Sequence, residues 1–367
     1  MVDEFKPLEF ISSGSPQIDT ICGGGYPRGR IIELFGWESS GKSTLAVAHA
    51  IEQQKKGKCV VYLDYERVFP PEYYHSLGLK GIKPVDRDKL IVLTPETVED
   101  GIAIAEDLME DKSSNIGLII FDSVSAMMTV KQAEAEVEDA TKEQPGQLAK
   151  MLSNRLRHLV GRADKAKCTL VFINQLRSNL KAMNAYAGGG EPDWTTSGGN
   201  GLKFYASIRI MVERKGEDTI AVKNPVTKKD DKIHQGYNAR VTTIKNKVAP
   251  GKKRCEIYFK DGSGIDTKTS VWISAVGLGI IEKQGAGWYE FKSSDPKAAF
   301  RERGEEHVKE FVLSNDYIFA AIDEALRANI SSTTVSDDEI MASAMVSQSD
   351  LTEETTEDAQ DEIGDAS

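Results

Sequence analysis

The stretch Arg30-Ile-Ile-Glu-Leu-Phe-Gly-Trp-Glu-Ser-Ser-Gly-Lys-Ser-Thr44 joins an apolar run to a glycine loop. Ile31 to Phe35 reads as a short buried strand, and Leu45 to Lys56 carries a helical pattern. Between them, GWESSGKS fits the phosphate-loop pattern GxxxxGK[ST]. Strand, loop and helix in that order are the context the motif requires. Gly36 and Gly41 let backbone N–H groups approach phosphate oxygens with no Cβ in the way. The loop residues Trp37, Glu38, Ser39, Ser40 and Thr44 complete the cradle, and the helix N-terminus adds partial positive charge. Lys42 is expected to reach the β- and γ-phosphates, and the Ser43 hydroxyl to ligate Mg²⁺. A chance match in a glycine-rich loop does not explain the flanking strand and helix.

Downstream, Lys58-Cys-Val-Val-Tyr-Leu-Asp-Tyr-Glu66 reads as a second buried strand ending in carboxylates. A helix is expected over Pro71 to Leu77, a short strand over Leu90 to Leu93 and a helix over Val98 to Met109. Ile116-Gly-Leu-Ile-Ile-Phe-Asp-Ser123 is an apolar strand ending in Asp122. Leu148 to Ala163 is an amphipathic helix, and Cys168-Thr-Leu-Val-Phe-Ile-Asn-Gln175 is another strand with a polar end. Continuous apolar strands separated by helices mark an α/β fold with a mainly parallel central sheet. Ligands of such sheets sit at the carboxyl ends of the strands. Four strand ends carry polar groups: Gly36 onward, Asp64 with Glu66, Asp122, and Asn174-Gln175. Their convergence on one rim points to an ATP-hydrolysing site.

Residues 178–201 show no helix or strand period and contain six glycines. Lys181, Tyr186 and Trp194 supply a cation and aromatic faces suited to stacking on unpaired bases. Glu191 and Asp193 weaken that case, and on these residues alone plain mobility is the more ordinary reading. Residues 131–146 form a second polar, acidic stretch. Lys203 to Glu213 and Asn238 to Lys247 alternate like strands, with a Lys/Asp/Gly-rich hairpin loop between them. Lys245 and Lys247 share a face, which fits a solvated edge strand as well as a ligand contact. Cys255 to Phe259 is one more strand. Beyond residue 268, helix is expected over Val271 to Ile281, Lys297 to Leu313 and Asp316 to Leu326, with a strand at Gly287 to Phe291. The organisation expected is a strand segment over residues 1–10, an ATPase core over 11–267, a small α/β domain over 268–330 and a disordered acidic tail over 331–367.

The chain has 367 residues and a net charge of −11. No Lys or Arg follows Arg327, whereas eleven Asp and Glu do, so the body balances to zero and the acidity lies in the tail. Overall acidity therefore does not exclude nucleic acid. No apolar run is long enough for a membrane span, and the acidic start MVDEFKPLEF lacks a signal-peptide core. The cysteines Cys22, Cys59, Cys168 and Cys255 lack metal-ligand spacing and read as buried free thiols in a reducing cytoplasm.

Together, ISSGSPQID, GGGYPRGRIIELFGWESSGKST, LDYE, LIIFDSVSA, FINQLR, TSGGNGLKFYASIR and IKNKVAP resemble the RecA-type recombinases in order and spacing. The resemblance runs from about residue 5 to 290 and extends to the acidic tail. It implies a RecA-type P-loop core and a DNA-dependent ATPase using ATP and Mg²⁺. It implies helical filaments on single-stranded DNA, capture of duplex DNA and strand exchange. Glu66 matches the catalytic carboxylate, although by alternation Asp64 shares its face and chemistry alone does not choose between them. Asp122 matches the second nucleotide motif and would hold Mg²⁺ through water. Gln175 matches the γ-phosphate sensor, and Tyr73 a position stacking on the base. Residues 139–146 and 178–199 match the two DNA-binding loops. Arg177, Lys181, Tyr186, Trp194, Gly198 and Gly199 are the contacts expected in and beside the second loop. Lys245 and Lys247 match cations that reach the ATP of the neighbouring subunit. The small domain resembles the family's duplex-binding module, and the acidic tail would compete with DNA phosphates.

Three features depart from the family pattern. The family's N-terminal helix of some thirty residues has no counterpart here, leaving Phe5 to Ile11 for the protomer contact. The second loop is longer than in bacterial relatives. The first has Pro145 where they usually carry methionine. A non-hydrolysing ATP-binding scaffold and a RecA-fold ring motor are the rival readings.

Overall fold

The structure, a computed structural model, describes residues 7–82, 89–134, 146–178, 194–223, 230–336 and 339–340. The chain begins with β1 (Phe10–Ile11), α1 (Pro16–Cys22) and β2 (Tyr26–Pro27). Of the strand segment expected over residues 1–10, residues 1–6 lie outside the described residues, and β1 pairs with Tyr26–Pro27 of its own chain. There follow β3 (Ile31–Gly36), α2 (Lys42–Lys55), β4 (Cys59–Asp64), α3 (Pro71–Ser76), β5 (Leu90–Leu93), α4 (Val98–Glu110) and β6 (Ile116–Asp122). Next come α5 (Val130–Ala133), α6 (Gln147–Ala166), β7 (Thr169–Ser178), β8 (Trp194–Thr196) and α7 (Gly199–Tyr205). The long strands β9 (Ile208–Lys223) and β10 (Asp230–Asn246) lead to β11 (Arg254–Lys260) and β12 (Gly264–Ile265). The last elements are α8 (Thr267–Gly277), β13 (Ile281–Gln284), β14 (Trp288–Phe291), β15 (Phe300–Arg303), α9 (Glu305–Ser314) and α10 (Asp316–Ser332).

The main sheet runs β12-β11-β10-β9-β3-β7-β6-β4-β5, with β8 added to the end of β7. From β9 to β5 every neighbouring pair is parallel. The apolar runs that suggested buried strands are buried on both faces: every residue of β3, β4 and β6 is buried. One face packs under α1, α2 and α8 through residues such as Ile32, Leu34, Leu45 and Val60. The other packs under α4, α6 and α7 through Ile102, Leu156, Phe172 and Leu202. Phe121 and Phe172 stack across β6 and β7 with ring centroids 4.2 Å apart. This double cover makes a continuously apolar strand stable in a parallel sheet.

Several elements depart from the sequence pattern. The Lys/Asp/Gly-rich segment after Glu213 is not a loop over most of its length. It extends β9 and β10 into one antiparallel hairpin, with Lys223 opposite Asp230. Both faces of its outer part meet solvent, so no apolar alternation betrays the strands. Lys203 to Tyr205 belong to helix α7, which starts after Gly198 in the left-handed region (φ 81°). Phe300–Arg303 is a strand paired with β14, not helix, and α9 begins only after Gly304. Ile281 starts a strand instead of ending a helix.

The root of the tail is also ordered structure. Ser331 and Ser332 close α10, the Val335 N–H donates to the Lys252 carbonyl (2.8 Å), and Ile340 is buried against Phe35, Leu176 and Met211. Two apolar side chains in an otherwise polar segment suffice to dock it on the sheet face left open by the helices. The rest of the acidic tail, residues 341–367, lies outside the described residues.

Candidate nucleotide site and its neighbouring loops

β3 ends in the phosphate loop because glycine is obligatory there. A Cβ on Gly36 would lie 2.0 Å from the Val212 carbonyl oxygen, and one on Gly41 (φ +94°) would strike the Phe259 ring at 2.6 Å. The loop therefore packs closely on β9 and β11, an approach that a Cβ at either position would block. Trp37, Glu38, Ser39 and Ser40 span the loop, and Thr44 follows Ser43 in the first turn of α2. Lys42 is buried, and its ammonium donates to the Trp37 carbonyl (2.5 Å) and to Ser40 Oγ (3.4 Å). Burial lowers its pKa to about 8, against the pull of Asp122, Glu66 and Glu38. A dehydrated cation beside an open cradle is suited to polyanion binding.

The sheet order places the other polar strand ends beside it. Gly36 is in register with Gln175, and Asp64 with Asp122. Ser43 Oγ donates to Asp122 Oδ2 at 3.0 Å, and the Tyr62 hydroxyl donates to the same oxygen. Burial raises the Asp122 pKa to about 6, opposed by these two hydrogen bonds. Tyr62 in turn lies 3.4 Å from the Tyr74 hydroxyl. Tyr62 was not singled out by sequence because a tyrosine within Val60–Leu63 reads as core. Its hydroxyl role follows from strand pairing, not from local sequence.

The two carboxylates left open by alternation are separated by the structure. Asp64 is buried, and its oxygens accept the N–H groups of Arg67 and Phe69, both at 2.8 Å. It is committed to shaping the turn after β4, where Arg67 takes φ 60°. Glu66 is exposed, and its carboxylate accepts a hydrogen bond from Ser123 Oγ, which itself touches Ser125 Oγ at 2.7 Å. Of the two, Glu66 is the exposed one and Asp64 the buried one. Ser123, next to Asp122, is a second residue that sequence reasoning passed over.

Gln175 sits one residue before the β7–β8 ladder, in which Leu176 pairs with Thr196 and Arg177 with Thr195. Asn174 donates from its amide to Glu33 (3.0 Å) and to the Ser197 carbonyl (2.9 Å), while its oxygen receives the Gln175 N–H (3.0 Å). The strand end that faces the phosphate loop is thus tied to both roots of the second loop. Trp194 packs its ring against Phe35, at 5.7 Å between centroids, so it is a half-buried root residue and not a free stacking face. Gly198 and Gly199 both take positive φ where α7 meets α6. Lys181 and Tyr186 lie outside the described residues, as does the first loop apart from Gly146.

Lys245 and Lys247 are not brought to this cradle. Lys245 is opposite Arg209, which pairs with Glu33, three residues below Gly36. That offset is about 10 Å along the strand, and Lys247 lies further still. Both ammonium groups turn instead to the end of α7: Lys245 donates to the carbonyls of Lys203 (2.6 Å) and Phe204 (2.8 Å), Lys247 to that of Phe204 (3.0 Å). Tyr73 is on α3 with its ring partly exposed at 38%. In the C-terminal module, Lys283 pairs with Glu305 and Lys292 with Glu282.

A phosphate loop and a carboxylate-bearing strand rim on a parallel sheet define a P-loop ATP-binding protein. The RecA N-terminal domain family matches residues 3–266, and the chain belongs to the RecA family as a recombinase. It is 35% identical to Protein RecA of Methylobacterium sp. (strain 4-46) over 352 residues, 96% of this chain and 87% of that one. It is 39% identical to Protein RecA of Ruminococcus albus over 323 residues, 88% of this chain and 73% of that one. With Protein RecA of Nitrobacter winogradskyi it shares 36% identity over 328 residues, 89% and 82% of the two chains. The solved RadB recombinase aligns at a TM-score of 0.47 and 20% identity, over 69% of this chain and 97% of that one. Among the described residues no helix is long and apolar enough to cross a membrane.

Proposed function

We propose that this recombinase is a DNA-dependent ATPase that assembles on single-stranded DNA as a helical filament and pairs it with duplex DNA. The observation that carries the reading is the tie between the two sites: Asn174-Gln175 touches the phosphate-loop strand on one side and both roots of the second loop on the other. Hydrolysis is in-line attack of water on the γ-phosphorus, forming the new P–O bond as the bond to the ADP oxygen breaks. The cradle, with Lys42 and Ser43, holds the phosphates and positions the γ-phosphoryl group. Asp122 and Ser43 are the residues that would hold Mg²⁺, which would supply charge neutralisation of the phosphates. Glu66 orients the attacking water and accepts its proton. Gln175 reports the γ-phosphate to the second loop, and Tyr73 stacks on the base.

Lys245 and Lys247 act on a neighbour's nucleotide. Their register, well below the phosphate loop of their own chain, supports this reading. ATP then lies between protomers and holds them together. The double variant Lys245→Ala/Lys247→Ala is expected to bind nucleotide with parental affinity as a protomer. It is expected to lose ATP-dependent filaments on single-stranded DNA, scored by negative-stain microscopy. Normal filaments would remove both lysines from the interface. The module over residues 268–330 is assigned to duplex DNA by resemblance, and the buried free cysteines support a reducing, cytoplasmic setting.

A further inference from the structure

The long hairpin brings one side chain to the phosphate loop that no motif points to. Tyr237 lies on β10, opposite Glu217 of β9 and Phe259 of β11. It lines the same cavity as Ser39 through Thr44. A Cβ built on Gly41 would be 2.8 Å from its hydroxyl oxygen. The ring is fixed by its neighbours: the Arg214 guanidinium lies 4.2 Å from its centroid, and the Phe259 ring 5.0 Å away. Held this way, the phenol loses little further rotamer freedom when it meets a ligand. Burial is the main cause that pushes its pKa up to about 12, so near neutral pH it keeps its proton and can donate.

We propose that Tyr237 is a nucleotide-binding residue whose hydroxyl donates a hydrogen bond to a phosphate oxygen of the nucleotide in its own chain's cradle. The inference rests on the nucleotide-binding reading of the phosphate loop. It has a structural consequence for coupling. Tyr237 and Lys245 are eight residues apart on one continuous strand, about 27 Å. One strand then touches its own nucleotide near its middle and a neighbour's near its end.

The test is equilibrium binding of ADP and of GDP to the full chain without DNA, for the parent and for Tyr237→Phe. The phenylalanine keeps the ring packing and removes only the hydroxyl. The expected result is an approximately tenfold weaker affinity for both diphosphates, the scale of a lost hydrogen bond to a charged group, with an unchanged Tm. Parental affinity of Tyr237→Phe overturns the proposal while leaving the nucleotide site intact. A loss confined to ADP overturns the phosphate contact in favour of the base. A parent chain that binds neither diphosphate would instead sink the nucleotide reading itself.

Discussion

Lys42→Ala abolishes ATP hydrolysis, with turnover at least ~10³-fold below the parent, as expected when the fixed positive charge of a phosphoryl-transfer site is removed. The reason is the state in which the fold keeps this lysine. Its ammonium is buried among the Trp37 carbonyl and the loop hydroxyl of Ser40, with Asp122 and Glu66 close enough to pull on its proton. It is held dehydrated at the rim where the γ-phosphate charge has to be met. The same burial means that the charge costs the ligand-free fold. A basic group whose folded pKa is depressed binds its proton less well folded than unfolded, so its removal relieves the folded state near neutral pH. The variant is therefore expected to keep a Tm within about 3 °C of the parent. Steady-state phosphate release and a thermal melt check both halves. Hydrolysis near the parental rate would disprove the role of the lysine, and a collapsed Tm would show that it is a structural cation.

Glu66→Gln keeps nucleotide binding and lowers turnover by about 10²–10³-fold, the range typical of a lost general base or water-orienting carboxylate. Asp64→Asn has a different signature. Asp64 accepts two backbone N–H groups, from Arg67 and Phe69. An asparagine offers one acceptor oxygen and sets its NH₂ against the second donor, so the turn after β4 is destabilised by roughly 1–3 kcal/mol. The expected pair of results is a slow but stable Glu66→Gln and a less stable Asp64→Asn. Binding isotherms, phosphate release and melts on both variants separate them. Full turnover in Glu66→Gln refutes the assignment.

The parallel core was readable because its strands are short apolar runs buried on both faces, and each ends in a chemically distinctive residue. Pairing could not be read from them, and pairing makes the site: Tyr62 and Ser123 acquire partners only once β4 lies beside β6. Asp64 and Glu66 could not be told apart because alternation assumes a continuing strand. The chain leaves β4 at Asp64 and turns at Arg67. The β9–β10 hairpin was hidden by its two solvated faces. Phe300–Arg303 was hidden because its spacing with Val308 and Val312 also fits a helix, until Gly304 (φ 91°) ends the pattern. The docking of Ile340 is a tertiary event that acidic composition masks. Lys245 and Lys247 were legible only through resemblance; the register places them about 10 Å or more below the phosphate loop of their own chain.

The most direct measurement is ATP hydrolysis with and without unstructured single-stranded DNA, in low-salt Mg²⁺ buffer. Strong stimulation by DNA is expected, because the Asn174-Gln175 strand end joins the phosphate-loop strand to the root of the second loop. Turnover that is the same with and without DNA, or absent in both, would contradict it.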